Sequence, residues 1–143
     1  MRINDLFFQR VLIVCGVMFF IVGLVVVLGV IPPVKADTYP GVKHDKVVAA
    51  FAINIGLNLL AAFVLFFISL RKTKQNWKSA TVLVFTGLLV LILGLALADA
   101  ASAYQGHGPS MQTASILLFI CAAVDFLSGV AVIIAAFLRP KTV

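Results

Sequence analysis

Four long apolar runs, each nearly free of charge, dominate the pattern of hydrophobic and polar positions along this chain. Asp125 is the one charged residue within them, and the runs cover residues 11–31, 47–70, 79–98 and 110–138. At a rise of ~1.5 Å per residue, each run can cross a hydrocarbon core of ~30 Å as a helix. The pattern predicts an all-α integral membrane protein, a single transmembrane domain over residues 1–143 with helices at about 7–31, 46–70, 78–104 and 110–138.

The connections between the predicted helices are short. Short connections make sequential helices pack antiparallel, so we expect an up-down-up-down four-helix bundle. Pro32-Pro33 is expected to end helix 1, because proline lacks the amide hydrogen that would continue the helical hydrogen bonds. Ser110 is expected to cap the start of helix 4 with its hydroxyl group.

The net charge of +6 is divided unevenly between the two ends of the predicted bundle. One end has only Lys35, Lys43 and Lys46. The other end has eight basic residues, namely Arg2, Arg10, Arg71, Lys72, Lys74, Lys78, Arg139 and Lys141. Because cytoplasmic loops are rich in Lys and Arg, both termini are expected in the cytoplasm. This places the chain, N-in and C-in, in the plasma (inner) membrane of a prokaryote.

Two alternative interpretations of the basic residues and of the first apolar run are less favoured. A positive charge can indicate nucleic-acid binding, but Arg71, Lys72, Lys74 and Lys78 lie where anionic lipid headgroups would attract them, at ~1 kcal/mol per residue. We therefore expect lipid contacts and no nucleic acid. The apolar region of a signal peptide is only ~7–15 residues long, so the run at 11–31 is expected to remain as helix 1.

Pairs of glycines indicate where helices approach one another. Gly16 and Gly23 are seven residues apart in helix 1, and Gly87 and Gly94 are seven apart in helix 3. Small residues repeated on one helix face allow two backbones to come close in a membrane. We expect both pairs to face neighbouring helices.

The sequence offers little for enzymatic chemistry, and we expect no enzyme. It contains no Glu, no G-x-S-x-G motif and no glycine-rich phosphate loop. Cys15 and Cys121 lie at different depths of their helices, which disfavours a disulfide, and neither belongs to a C-x-x-C pair. We expect both to pack as small apolar residues, and we expect no cofactor.

Polar residues within the apolar runs form a candidate intramembrane site. Asp125 lies near the middle of helix 4, where a charged carboxylate costs ~2.5–3.5 kcal/mol, so we expect it to be protonated and hydrogen-bonded. Asn54 and Asn58 share one face of helix 2, and Ser128 shares the face of Asp125. Asn58 is a candidate partner of Asp125. The site either handles a proton or cation, or its hydrogen bonds fix the helix register or contact a neighbouring subunit.

The two histidines and Asp99 form a second, weaker candidate site at the outer ends of the helices. His44 and His107 precede helices 2 and 4, and Asp99 lies near the end of helix 3. Imidazole is the commonest metal ligand, so haem or another metal at these histidines is an alternative. The spacing matches no metal-binding or haem-attachment motif, and solvated histidines are the favoured interpretation.

These observations leave three hypotheses for function. The favoured one is a non-catalytic accessory subunit that contacts other membrane-protein subunits of a larger complex. The second is a small oligomeric transporter in which Asp125 carries protons or cations. The third is an outer-face redox protein that binds haem or metal through His44 and His107.

Overall fold

Four long helices make up the protein in a computed structural model, which describes residues 4–36, 44–70, 77–106 and 108–140. Helix 1 covers Asp5–Ala36, helix 2 His44–Leu70, helix 3 Trp77–Tyr104 and helix 4 Pro109–Phe137. All four are long and apolar enough to cross a membrane. The architecture is therefore all-helical and consistent with a multi-pass membrane protein.

Helix 1 continues through Pro32-Pro33, so the prediction that these prolines end it is wrong. Its first α-helical part, Asp5–Val25, is followed by a π-helical turn, Val26–Val30, and by a last α-helical part, Ile31–Ala36. In the π turn the Ile31 N–H donates to the Val26 carbonyl, five residues earlier. A proline ring crowds the carbonyl four residues before it, and the wider turn gives that carbonyl room. The helix therefore ends five residues later than expected.

Helix 4 begins at Pro109 rather than after a Ser110 cap, which corrects a second expectation. Gly108 is the N-cap residue, with φ +107°, and no side chain caps the helix. This φ lies in the left-handed region that glycine adopts without strain. Proline fits the first helical position because its fixed φ suits the helix and its missing amide hydrogen is not needed there.

The helices form a ring in which neighbours in sequence are neighbours in space and helix 4 also packs on helix 1. Contacts between helices 3 and 4 are the most extensive, and those between helices 2 and 3 are sparse. A Cβ on Gly87 would lie 2.8 Å from the Gly129 carbonyl oxygen, and one on Gly16 would lie 2.7 Å from the Phe66 ring. The glycine pairs therefore face neighbouring helices, as predicted.

The apolar core is divided along its length into two clusters. We call the end that carries residues 4 and 140 proximal, and the opposite end distal. The proximal cluster includes Phe8, Phe19 and Leu65, and the distal cluster includes Val26 and Leu118. The members from each helix show that all four contribute to both clusters and that adjacent helices run antiparallel. The level between the two clusters holds the polar residues of the middle of the bundle.

Candidate functional site

The polar side chains singled out in the middle of helices 2 and 4 are all buried. Asn58 and Asp125 have no exposed surface, Asn54 is 6% exposed and Ser128 is 8% exposed. We call Asn54, Asn58 and Asp125 the polar layer. It lies between the two apolar clusters, because Ile55 and Ala122 belong to the distal cluster while Ala61 and Val132 belong to the proximal one. Ser128 lies one helical turn beyond Asp125, toward the proximal end.

Hydrogen bonds of the polar layer run along helix 2 and across to helix 3. Asn58 Nδ2 donates to the Asn54 side-chain Oδ1 at 2.8 Å and to the Asn54 carbonyl oxygen at 3.1 Å. Asn54 Nδ2 in turn donates to the Leu93 carbonyl oxygen at 3.2 Å. Helix 2 is thus joined to helix 3 through a side chain at the level where the two helices approach each other. Both amide groups point inward, which fixes the rotation of helix 2.

Asn58 and Asp125 are neighbours, as the sequence analysis anticipated, although no hydrogen bond of normal length joins their side chains. The Asn58 amide lies beside the Asp125 carboxyl group. Its N–H groups are directed at Asn54, however, and both oxygens of Asp125 are buried without a hydrogen-bond partner. Asn58 Oδ1 is also buried and unpartnered. Three acceptor atoms therefore share one buried site, and none of them receives a hydrogen in this arrangement.

A close approach of helices 3 and 4 confines the Asp125 side of the polar layer. A Cβ on Gly94 would lie 3.2 Å from Asp125 Cβ and 3.2 Å from the Ala122 carbonyl oxygen. The backbone of helix 3 thus covers the base of the Asp125 side chain. Such tight packing leaves the carboxyl group facing the bundle interior, toward Asn58 on the diagonally opposite helix.

A cavity of about 370 Å³ opens between helices 2 and 3 at the distal end. We call it the distal cavity. Ala50 and Asn54 line it from helix 2, and Asp99, Ala100 and Tyr104 line it from helix 3. Asn54 thus belongs both to the wall of this cavity and to the polar layer. Asp99 is exposed and lies toward the outer part of the wall.

A second opening of about 400 Å³ lies between the same two helices at the proximal end. We call it the proximal groove. Phe63, Val64 and Phe67 line it from helix 2, and Lys78 and Val82 line it from helix 3. The seam between helices 2 and 3 is therefore open at both ends and closed in the middle, where Asn54 reaches the Leu93 carbonyl.

The predicted histidine site lies largely outside the described part of the chain. His44 is the first residue of helix 2, but its side chain is not described, and the same holds for the whole of His107. Of the basic residues expected at lipid headgroups, Arg71, Lys72 and Lys74 also lie outside it. Among the described residues, no group of three or more His, Cys, Asp or Glu side chains is placed to hold a metal ion.

No protein-family model matches the chain, and no curated protein or solved structure is significantly similar to it. Its function must therefore be argued from the geometry. Two contributors to the site were missed by sequence reasoning, the Leu93 carbonyl and Gly94. A backbone carbonyl leaves no mark in a sequence. The sequence predicts that Gly94 packs against a neighbouring helix, but no pattern indicates that it faces Asp125.

Proposed function

We propose that this chain is a non-catalytic subunit of a larger protein complex in the plasma membrane of a prokaryote. The open seam between helices 2 and 3 is the observation that supports this proposal. The other three neighbouring pairs in the ring are closely packed, whereas these two helices are sparsely packed and separated at both ends. A transmembrane helix of a partner subunit would bury apolar surface there that this chain leaves open.

Large aromatic side chains favour the proximal half of the seam as the place of contact. Phe63 and Phe67, which line the proximal groove, are 68% and 66% exposed. Aromatic residues contribute strongly to protein interfaces when they fill a partner's pocket. The charge distribution supports the proposed orientation: eight basic residues lie on the side of the termini, so both termini face the cytoplasm. In this orientation the bundle runs up-down-up-down.

The native mass and composition of the complex test this function. We expect the chain, extracted gently from its own host, to migrate with other membrane subunits in native electrophoresis and mass spectrometry. Phe63→Ala should weaken this association. Phe126→Ala removes a ring that is 49% exposed on helix 4, away from the seam, and should leave it intact. A homo-oligomer without other subunits would overturn the proposal.

A second candidate function is proton- or cation-coupled transport by an oligomer of this chain, with Asp125 as the coupling residue. The unpartnered oxygens of Asp125 favour it, because buried acidic groups in membrane helices commonly mark ion or proton pathways. Four helices fill their own centre, so several copies would be needed to enclose a path for a solute. Asp125→Asn should then abolish coupled flux in proteoliposomes, while the variant remains folded in detergent.

A further inference from the structure

We propose that Asp125 is a proton-binding site, whose protonated carboxyl group donates a hydrogen bond to Asn58 Oδ1 and exchanges its proton with the distal side through the cavity beside Asn54. This proposal deepens the second candidate function. It rests on that function only for the coupling of the proton to transport. Proton binding itself follows from the hydrogen-bond arrangement of the polar layer.

A proton on Asp125 supplies the donor that the polar layer lacks. Asn58 Oδ1 and both Asp125 oxygens are acceptors without a hydrogen-bond partner, and the Asn58 Nδ2 contacts run to the Asn54 side-chain and backbone oxygens. A protonated carboxyl carries one O–H donor, which can satisfy Asn58 Oδ1 without disturbing either bond to Asn54. A carboxylate would instead leave all three acceptors without a hydrogen bond and would place a charge in an apolar interior, at a far higher cost.

The ligand that fits this site is a proton rather than a divalent metal cation. Oxygen-bound cations such as Ca²⁺ take 6–8 ligands, and Mg²⁺ demands an octahedral set. The site offers three oxygens without a hydrogen-bond partner, and Gly94 of helix 3 packs against the Asp125 Cβ and the Ala122 carbonyl of helix 4, which closes off its helix 3 side. A proton needs only one donor atom and one acceptor atom, and both are present.

Few other ionisable groups can influence Asp125. On its own helix the Cys121 thiol lies one turn away, within electrostatic reach. On helix 3 the nearest acidic side chain is Asp99, in the wall of the distal cavity. On helix 1 the buried Cys15 thiol belongs to the proximal cluster, and on helix 2 Asp45 and Lys46 lie in the first turn, at the distal end. The proton on Asp125 therefore responds mainly to the polar layer and to whatever reaches it from the cavity.

The distal cavity connects the surface with the polar layer at Asn54. Asn54 lines this cavity and accepts a hydrogen bond from Asn58. It therefore lies between the opening and Asp125. A water molecule that enters past Asn54 can take the proton from Asp125 as hydronium and return it later. After the proton leaves, the Asn58 amide must turn to offer an N–H to the carboxylate. That rotation breaks the side-chain hydrogen bond between Asn58 and Asn54. Asn54 is the residue that joins helix 2 to the Leu93 carbonyl of helix 3.

Infrared spectroscopy of the full chain in lipid vesicles tests the proposal. The difference between wild type and Asp125→Asn should contain the C=O stretch of a protonated carboxyl group, and that band should shift after transfer to D₂O. Asp125→Glu should move the band rather than remove it, which identifies Asp125 even if the Asn variant folds poorly. These measurements need neither a partner nor a transport assay, so their outcome is separate from that of either candidate function.

The route is tested by filling the cavity. Ala50→Phe should slow the exchange into D₂O several-fold, whereas Ala52→Phe, two residues away on an exposed face outside the cavity, should not. A spectrum with only carboxylate bands, or a protonated band that disappears when sodium is added at constant pH, would overturn proton binding. Equal exchange rates in wild type and Ala50→Phe would overturn the distal route.

Discussion

Single polar residues determine how the middle of this bundle is held together. Most of the core is apolar. In a bilayer, apolar side chains favour contact with another helix only slightly over contact with lipid, because lipid tails are equally apolar. Asn54 is different, since its amide reaches across to a specific carbonyl on helix 3 while its own oxygen accepts from Asn58. One side chain therefore fixes both the rotation of helix 2 and its register against helix 3.

Replacing Asn54 with leucine should destabilise the protein by about 1 kcal/mol, since two hydrogen bonds at ~0.6 kcal/mol each are lost. Thermal unfolding in detergent micelles should show a decrease of a few degrees in Tm. Thr86→Val is the matched control, because the Thr86 hydroxyl bonds only to the Val82 carbonyl of its own helix. An equal decrease in both variants would show that Asn54 does not link the two helices.

The polar residues themselves could be recognised from the sequence, but their partners could not. Asn54, Asn58 and Asp125 stand out because polar side chains are rare in apolar runs of this length. A backbone carbonyl acceptor such as that of Leu93 is present at every position, so no pattern singles it out. The choice of Asn58 to donate to Asn54 rather than to Asp125 depends on side-chain rotation, which the sequence does not specify.

At the scale of one element, the π turn of helix 1 adds one residue to the spacing between its buried side chains. Its buried positions follow spacings of four and three from Phe8 to Val26, which keeps them on one face. Continuing that spacing would bury 29 and 33, yet the buried residues are Val30 and Val34. A π turn winds more slowly than an α-helix, so one residue more fits before the buried face returns. Because every residue from Val26 to Val34 is apolar, no polar position in this region indicates the shift.

Deleting one residue of helix 1 should have opposite effects at two places. In a Pro32→Ala/Pro33→Ala background, deletion of Leu28, which is 73% exposed in the π turn, should leave a regular α-helix with the buried valines on the same face. Deletion of Val17 in the regular part should rotate residues 5–16 by about 100° relative to the rest of helix 1, and the protein should then no longer fold. Size-exclusion profiles in detergent distinguish the two, and similar profiles for both would contradict this account.

The pair formed by helices 3 and 4 depends on glycine in a way that helix 2 does not. A Cβ on Gly87 would meet Ile133 at 2.5 Å and the Gly129 carbonyl oxygen at 2.8 Å, so Gly87→Ala must push the helices apart. We expect a loss of about 1–3 kcal/mol, as for other overpacked interiors. Gly56 has open space around it, and Gly56→Ala should not reduce the stability. Chemical denaturation of both variants in mixed micelles measures the difference.

At the scale of the whole molecule, the ring of four helices has three closely packed sides and one open side. The open side carries both the distal cavity and the proximal groove. This asymmetry could not be predicted from helix lengths or loop lengths, which are similar around the ring. It arises from the glycines at the helix 3–4 contact and their absence from the helix 2–3 contact.

Cysteines placed at the two ends of the seam should reveal the orientation of the molecule. With the distal end outside, Ala50→Cys should react with a membrane-impermeant maleimide in intact cells, and Val82→Cys should react only after permeabilisation. Ala52→Cys, outside the cavity, should stay unreactive, and the buried Cys15 and Cys121 can remain in all variants. Labelling of Val82→Cys alone in intact cells would show the reverse orientation.

The division of the core into two apolar clusters also affects how the protein can change over evolutionary time. Substitutions more than ~7–10 Å apart without shared partners act nearly independently, so an altered residue in one cluster can be compensated by a neighbour in the same cluster. The polar layer separates these two sets of neighbours. Each half of the bundle can therefore accumulate substitutions without disturbing the packing of the other half.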